Sequence, residues 1–314
     1  MNERDQIRAD ALEAALLAFH TNVISLPGIV PVENRLTLVK QFVDSIRRVS
    51  FVRTIRNRPH QSVVADPSNR AFDPIKAAAF YAAQGEVDEA CWLVFLSTHF
   101  GKNGTSGWRL LKDVYGALGQ GNLWNWASIS QSPDGMTQWL TVNYDALTSD
   151  GVPRHFGNHR KYESIRPSSS KSTGPVIASY VRWVLSNGGN HVHLFGRALE
   201  ETNHVSRAAF GRIYDSMKVL RFGRTAKFDY LSMLAKLDLV AIEANSAYLS
   251  TSTGPIRGAK LLFGGSVVSN QYSTQELDTY AIHLAGALRV GLQEMEDALC
   301  NWQKSPGRYQ RFAG

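Results

Sequence analysis

A chain of 314 residues is long enough for one large domain or two packed helical ones. With 44% hydrophobic and 19% charged residues it is neither disordered nor fibrous, and no apolar run approaches the roughly 20 residues a membrane helix needs. A net charge of +7 and an isoelectric point near 9.4 favour a polyanionic partner, while the two cysteines, Cys91 and Cys300, lie too far apart for a zinc spacing or a disulfide framework. The opening MNERDQIRAD holds no apolar leader core, so a reduced, cytoplasmic protein is expected.

Helical spacing recurs along the chain. Leu12, Leu16, Phe19 and Val23 share one face, as do Leu36, Val39, Val43 and Ile46. A polar loop with Pro59, Pro67 and Pro74 runs from Arg56 to Pro74. Ser106 is the expected N-cap of a helix striped by Trp108, Leu111, Tyr115 and Leu118 and stopped by Gly119. Ser130 to Gly135 reads as a turn and Asp150 to Gly174 as the longest irregular stretch. Phe210, Ile213, Met217 and Leu220 mark another helix. Leu277, Leu284, Leu288, Met295 and Leu299 predict that the last helix is the longest. No alternating runs suggest a sheet, so the class is mainly α. The boundary is placed in the irregular stretch. It gives an N-terminal helical part, 1–165, with basic loops and a C-terminal helical part, 166–314, with a cleft between them.

The most informative segment is YLSTSTGPIRGAKLL, Tyr248 to Leu262. A short helical stretch from Glu243 to Tyr248 is expected to lead into a small-residue turn, Gly254-Pro255, and a second helix with Gly258 and Ala259 facing inward. This has the grammar of a helix-hairpin-helix over about 243–265. In such a hairpin glycine admits close approach, and free N–H groups at the second helix's start point at a phosphate. Thr253, Gly254, Arg257 and Lys260 are the candidate DNA contacts. The alternative is an ordinary helix start with proline in its first turn. Asp278 stands 24 residues beyond Gly254, in ELDTYAIHLAGAL. The place and the Leu277-Asp278-Thr279 pattern resemble the catalytic Asp of helix-hairpin-helix DNA glycosylases, where an anion stabilises an oxocarbenium-like sugar and orients a water. A helix-capping acid is the plainer alternative.

The stretches FGRTAKFDYLSMLAKL (Phe222–Leu237), IEANSAYLSTSTGPIRGAKLLFGG (Ile242–Gly265) and EDALCNWQKSP (Glu296–Pro306) resemble the alpha-glutamyl/putrescinyl thymine pyrophosphorylase clade 3 family. FGKNGTSGWRLLKDVYGALG (Phe100–Gly119) and FGNHRKYES (Phe156–Ser164) carry the likeness into the first half. The resemblance implies a relative of the helix-hairpin-helix glycosylases linked to hypermodified phage DNA bases. The catalytic lysine of bifunctional glycosylases is replaced by Ile256 or Arg257, with Lys260 a turn too late, which implies a monofunctional enzyme. Ser252 and Thr253 stand where glycines are commoner.

Basic and aromatic residues mix in three places. Arg47, Arg48, Arg53, Arg56 and Arg58 interleave with Phe51 and Ile55, and read best as a solvated face. Lys102 and Arg109 flank Trp108, and His155, His159, Arg160 and Lys161 surround Phe156 and Tyr162, a mixture suited to phosphate contact and base stacking. Lys102, His159, Arg160 and Lys161 are therefore candidate DNA contacts, with Trp108, Phe156, Arg224 and Tyr248 as base-pocket candidates. Asp229 is a second candidate carboxylate, or the partner of Arg224. His191 and His193 lack the further ligands a metal needs. No cofactor, metal, membrane or obligate protein partner is expected. The leading expectation is a DNA glycosylase that flips out and excises a hypermodified pyrimidine, leaving an abasic site, in defence against phages. One alternative is a transferase that displaces pyrophosphate from a modified thymine with an amino acid or polyamine. The other is a non-catalytic DNA-binding module.

Overall fold

The computed structural model describes residues 2–121 and 123–311. Among them fifteen α-helices and five short 3-10 turns account for the regular structure, and the only β pairing is two isolated bridges. The fold is mainly α, as the helical periodicity predicts. No described helix is long and apolar enough to cross a membrane. The chain forms two compact units. Met1–Val52 joins Glu243–Gly314 in one, and Arg53–Ile242 makes the other, so the boundary expected near residue 165 falls inside the second unit.

In the first unit the helix Glu3–Asn22 buries Leu12, Leu16 and Phe19 against the helix Thr274–Leu288. Val23 caps the first of these and is exposed. The longest helix is Val32–Arg56, not the last one. The expected C-terminal helix is broken in two, Thr274–Leu288 and Leu292–Trp302. Arg289 takes a left-handed backbone (φ 52°), and the Arg289 and Val290 amides close back onto the Gly286 and Ala285 carbonyls, satisfying them as a helix end requires. Gly291 then opens the final helix.

The second unit is built around the helix Val87–Phe100, which is almost wholly buried, its few polar side chains included. It packs on the helices Pro74–Ala83, Arg224–Lys236 and His191–Glu201. Phe95 stacks on Tyr180 with ring centroids 3.6 Å apart, and Trp92, Phe222 and Tyr230 complete the aromatic core. Buried polar groups are paired inside it. His191 takes Asp88 on Nδ1 (2.8 Å) and the Tyr180 hydroxyl on Nε2 (2.7 Å), and Tyr180 meets the Tyr230 hydroxyl at 2.7 Å. The histidine singled out in the sequence thus serves a core network. The helix expected from Ser106 begins at Arg109 and ends at Tyr115. Asn103, not Ser106, takes the amides before it, accepting from Thr105 and Ser106.

Candidate functional site

In the first unit, residues 243–248 are irregular, and the only turn before the hairpin is the 3-10 segment Leu249–Thr251. The short helix expected there does not form, because side chains take its amides. The Ser246 hydroxyl accepts from Tyr248 N at 2.7 Å, and one Asp278 oxygen accepts from Leu249 N at 3.1 Å. The other Asp278 oxygen accepts from the Ser246 hydroxyl at 2.9 Å. Tyr248 is held left-handed (φ 50°), a conformation a non-glycine residue keeps only when its surroundings fix it, and its hydroxyl donates to Asn245. Asp278 does not cap its own helix. Ser273 does so, in a full capping box with Glu276. Asp278 is a tether between that helix and the entry to the hairpin.

The hairpin helix itself spans Gly254–Gly264 with Pro255 in its first turn. Its glycines answer to packing. A Cβ on Gly258 would lie 2.3 Å from the Leu299 carbonyl oxygen, and one on Gly254 would lie 2.7 Å from Cys300 Sγ. Both face the final helix, Leu292–Trp302, and Gly28 presses on the same hairpin helix further along, where a Cβ would meet the Leu261 carbonyl oxygen at 2.2 Å. Gly258 and Ala259 are buried, as the motif predicts. The helix start is capped from within, since the Ser252 hydroxyl accepts from Ile256 N at 3.0 Å. Thr253 and Arg257 are exposed, and Lys260 Nζ donates to Asn270 at 3.0 Å.

In the second unit the two basic loops are joined. Gly157 N donates to the Phe100 carbonyl (2.8 Å), Asn103 Nδ2 to the Phe156 carbonyl (3.1 Å), and His155 N to the Ser106 hydroxyl (3.3 Å). A Cβ on Gly157 would sit 2.8 Å from Gly101 C, so glycine is required where the backbones touch. Lys102, His159 and Lys161 are exposed on this surface. Lys102 Nζ lies 6.0 Å from the Trp108 ring, and Lys161 Nζ 5.3 Å from the Tyr162 ring, both in cation–π range. Trp108 is anchored through Nε1 to Asp73, which also caps the helix Pro74–Ala83. Phe156 stacks on Phe100 at 5.5 Å and meets His99 edge-on, a packing position.

Arg160 turns inward. Its Nε donates to the Thr98 carbonyl at 2.9 Å, its guanidinium lies 5.6 Å from the Phe222 ring, and its buried Nη2 has no hydrogen-bond partner among the described residues. Burial lowers its proton affinity, while the charges of Asp229 and Glu163 raise it. Asp229 has no hydrogen bond or ion pair to a described residue. Burial pushes its carboxyl above the ordinary range against the pull of Arg160 first, then Lys236, His159 and Arg224. Arg224 stacks over Phe228 at 5.1 Å, and its charge acts on Asp229 more weakly than that of Arg160. His99, buried and bonded to the Thr173 hydroxyl, is held neutral by burial, its pKa pushed down to about 3. Arg47, Arg48 and Arg56 of the first basic run are tied to Asp5, Asp297 and Asp238.

A model of the alpha-glutamyl/putrescinyl thymine pyrophosphorylase family, clade 3, matches residues 33–314. The chain belongs to this family. Neither a curated protein nor a solved structure matches it. The match covers both units of this pyrophosphorylase-family chain, including the hairpin, Asp278, Arg160 and Asp229. The family's description names thymine and a pyrophosphoryl group and says nothing of glycosidic cleavage. It therefore supports the transferase alternative over base excision.

Proposed function

We propose that this protein hypermodifies a pyrimidine base in DNA, displacing diphosphate from a pyrophosphorylated 5-hydroxymethyl group with an amine. The observation that carries this reading is membership of the thymine pyrophosphorylase family across residues 33–314. In the reaction the amine nitrogen donates its lone pair to the methylene carbon on C5. The carbon–oxygen bond breaks, and the electron pair leaves on the diphosphate. The proton lost from nitrogen needs an acceptor, and the glycosidic bond is untouched. Asp229, whose proton affinity burial raises, is assigned as that acceptor. Arg160, with a guanidinium nitrogen lacking a partner, is assigned to the developing negative charge of the leaving group. Lys102, His159 and Lys161, exposed on the joined loops, are assigned to the DNA phosphates. Asp278 receives a positioning role, since both its oxygens accept hydrogen bonds from the hairpin entry.

The test is incubation with DNA carrying pyrophosphorylated 5-hydroxymethyluracil and either glutamate or putrescine. Diphosphate release and an amine adduct in the digested nucleosides are the expected products. Free base together with alkali-labile abasic sites, and no adduct, would restore the glycosylase.

A further inference from the structure

A cavity of about 730 Å³ lies in the second unit. It is bounded by the loop at Asp66, one face of the helix Arg109–Tyr115, the turn after that helix, and the segment that ends at Arg154. Its floor is rigid. Arg154 is almost fully buried and grips Asp113 through Nε (2.6 Å) and Asp150 through both Nη atoms (2.7 Å each). Those bonds hold the Asp150 carboxyl down at about 2. Its wall is strained. Ala117, Leu118 and Gly119 follow one another with φ of 48°, 55° and 73°, and two of the three carry a side chain. A left-handed run of this kind costs roughly 1–2 kcal/mol per non-glycine residue, and such strain persists where surrounding structure fixes it and collects at ligand sites. Gly116 brings the run close to the opposite loop, where a Cβ would fall 2.9 Å from Pro67 Cβ.

The groups left over at this cavity are of both signs. Arg109 is exposed, and its guanidinium makes no hydrogen bond or ion pair with a described residue. Lys112, one helical turn on, uses one N–H on the Asn69 carbonyl (2.9 Å) and keeps two. Asp66 accepts from the Ser68 amide and hydroxyl on one oxygen, and its second oxygen has no described partner. Arg109 and Lys112 together repel a ligand that is only a cation, and Asp66 repels one that is only an anion. A zwitterion satisfies all three.

Resting on the transfer reading above, we propose that this cavity is a holding site for the amine donor as a free amino acid, its carboxylates on Arg109 and Lys112 and its ammonium on Asp66, from which the donor passes to the base where Asp229 takes its proton. Of the two donors that the family's description names, the cavity thus selects glutamate over putrescine. Selection follows from charge, since putrescine has nothing to offer Arg109 or Lys112.

Calorimetry on the full chain without DNA, titrating glutamate, putrescine and inorganic phosphate separately, tests the assignment. Glutamate is expected to bind at least about tenfold more tightly than putrescine or phosphate, a difference of about 1.4 kcal/mol. Arg109→Ala should weaken glutamate at least about tenfold, and Arg109→Lys should restore part of the loss. Arg109 holds no other element, so a melting curve is expected to show the variant folded. Equal or tighter putrescine binding, phosphate binding tighter than glutamate, or glutamate binding insensitive to both Arg109→Ala and Asp66→Asn would each overturn the assignment. Transfer of putrescine onto pyrophosphorylated DNA with no glutamate binding would overturn it while leaving the transfer reading intact. Arg109-dependent glutamate binding with no transfer would uphold the pocket and overturn the transfer reading.

Discussion

Removing the Asp278 carboxylate separates a structural role from a chemical one. Two donors converge on it, the Ser246 hydroxyl at 2.9 Å and the Leu249 amide at 3.1 Å. Leu249 is wholly buried, so its amide gains little from water once the acceptor is gone. Hydrogen bonds to a charged group contribute roughly 1.5–3 kcal/mol each, and the two are coupled through one side chain, so Asp278→Ala should cost about 3 kcal/mol. Asp278→Asn keeps an oxygen for Leu249 and can turn its amide to Ser246, replacing charge-assisted bonds by neutral ones at about half that cost. With roughly 3 °C of melting temperature per kcal/mol for a chain of this size, the expected falls are about 9 °C and about 4 °C. Differential scanning calorimetry measures both. A melting temperature unchanged in Asp278→Ala would refute the tether. An Asn variant that melts like the parent but has lost all activity would move Asp278 into the chemistry and revive the excision reading.

Two further outcomes follow from the second unit. Glu89 is buried and bonded to the Tyr115 hydroxyl and the Trp126 amide, and burial pushes its pKa up to about 7. A raised folded-state pKa gives stability that is complete below the unfolded value and is lost as pH rises through 7. Glu89→Gln should therefore gain on the parent between pH 4.5 and 7, by about 3 kcal/mol at most; a melting difference independent of pH would refute this, and the opposite slope from neutral His99 cancels in the comparison. Lys102→Ala combined with Lys161→Ala should weaken binding to all DNA sequences alike and reduce the salt slope by about 2, since each phosphate contact contributes about 0.9. A slope unchanged in fluorescence anisotropy titrations would remove these loops from the interface.

Core faces were readable because burial writes a period into the sequence. Leu12, Leu16 and Phe19, or Phe210, Ile213 and Met217, are buried as their spacing demands. The misses arise where one side chain overrides local preference. Residues 243–248 carry ordinary helix formers, yet Ser246 and Asp278, 32 residues apart in the chain, compete successfully for the Tyr248 and Leu249 amides. Arg289 breaks the last helix in a left-handed conformation that its own residue type does not announce. Arg160 looks like one more exposed cation in the run from His155 to Lys161. Its inward turn depends on the Thr98 carbonyl and Phe222, which sequence separation conceals. The left-handed run at Ala117–Gly119 is equally silent, because alanine and leucine are the last residues expected there.

The hairpin glycines carry a wider consequence. A glycine-rich helix start binds phosphate only when its amides are free and nothing fills the approach. Here Gly254 and Gly258 are filled by Cys300 and Leu299, and Ser252 already occupies the Ile256 amide. In the same unit Arg35, Arg47 and Arg48 are bound to Glu13, Asp5 and Asp297, which leaves Arg257 as the exposed charge on the hairpin helix. Expelling a diphosphate demands the reverse, cations with donors to spare near a group that can take a proton. On the reading proposed above, Arg160 and Asp229 are the groups assigned to that demand in the second unit, and Lys102 and Lys161 stand exposed on its joined loops. The glycines of the motif that most invites a glycosylase reading thus serve helix packing, and on the transfer reading proposed above the groups assigned to the chemistry belong to segments with no such motif.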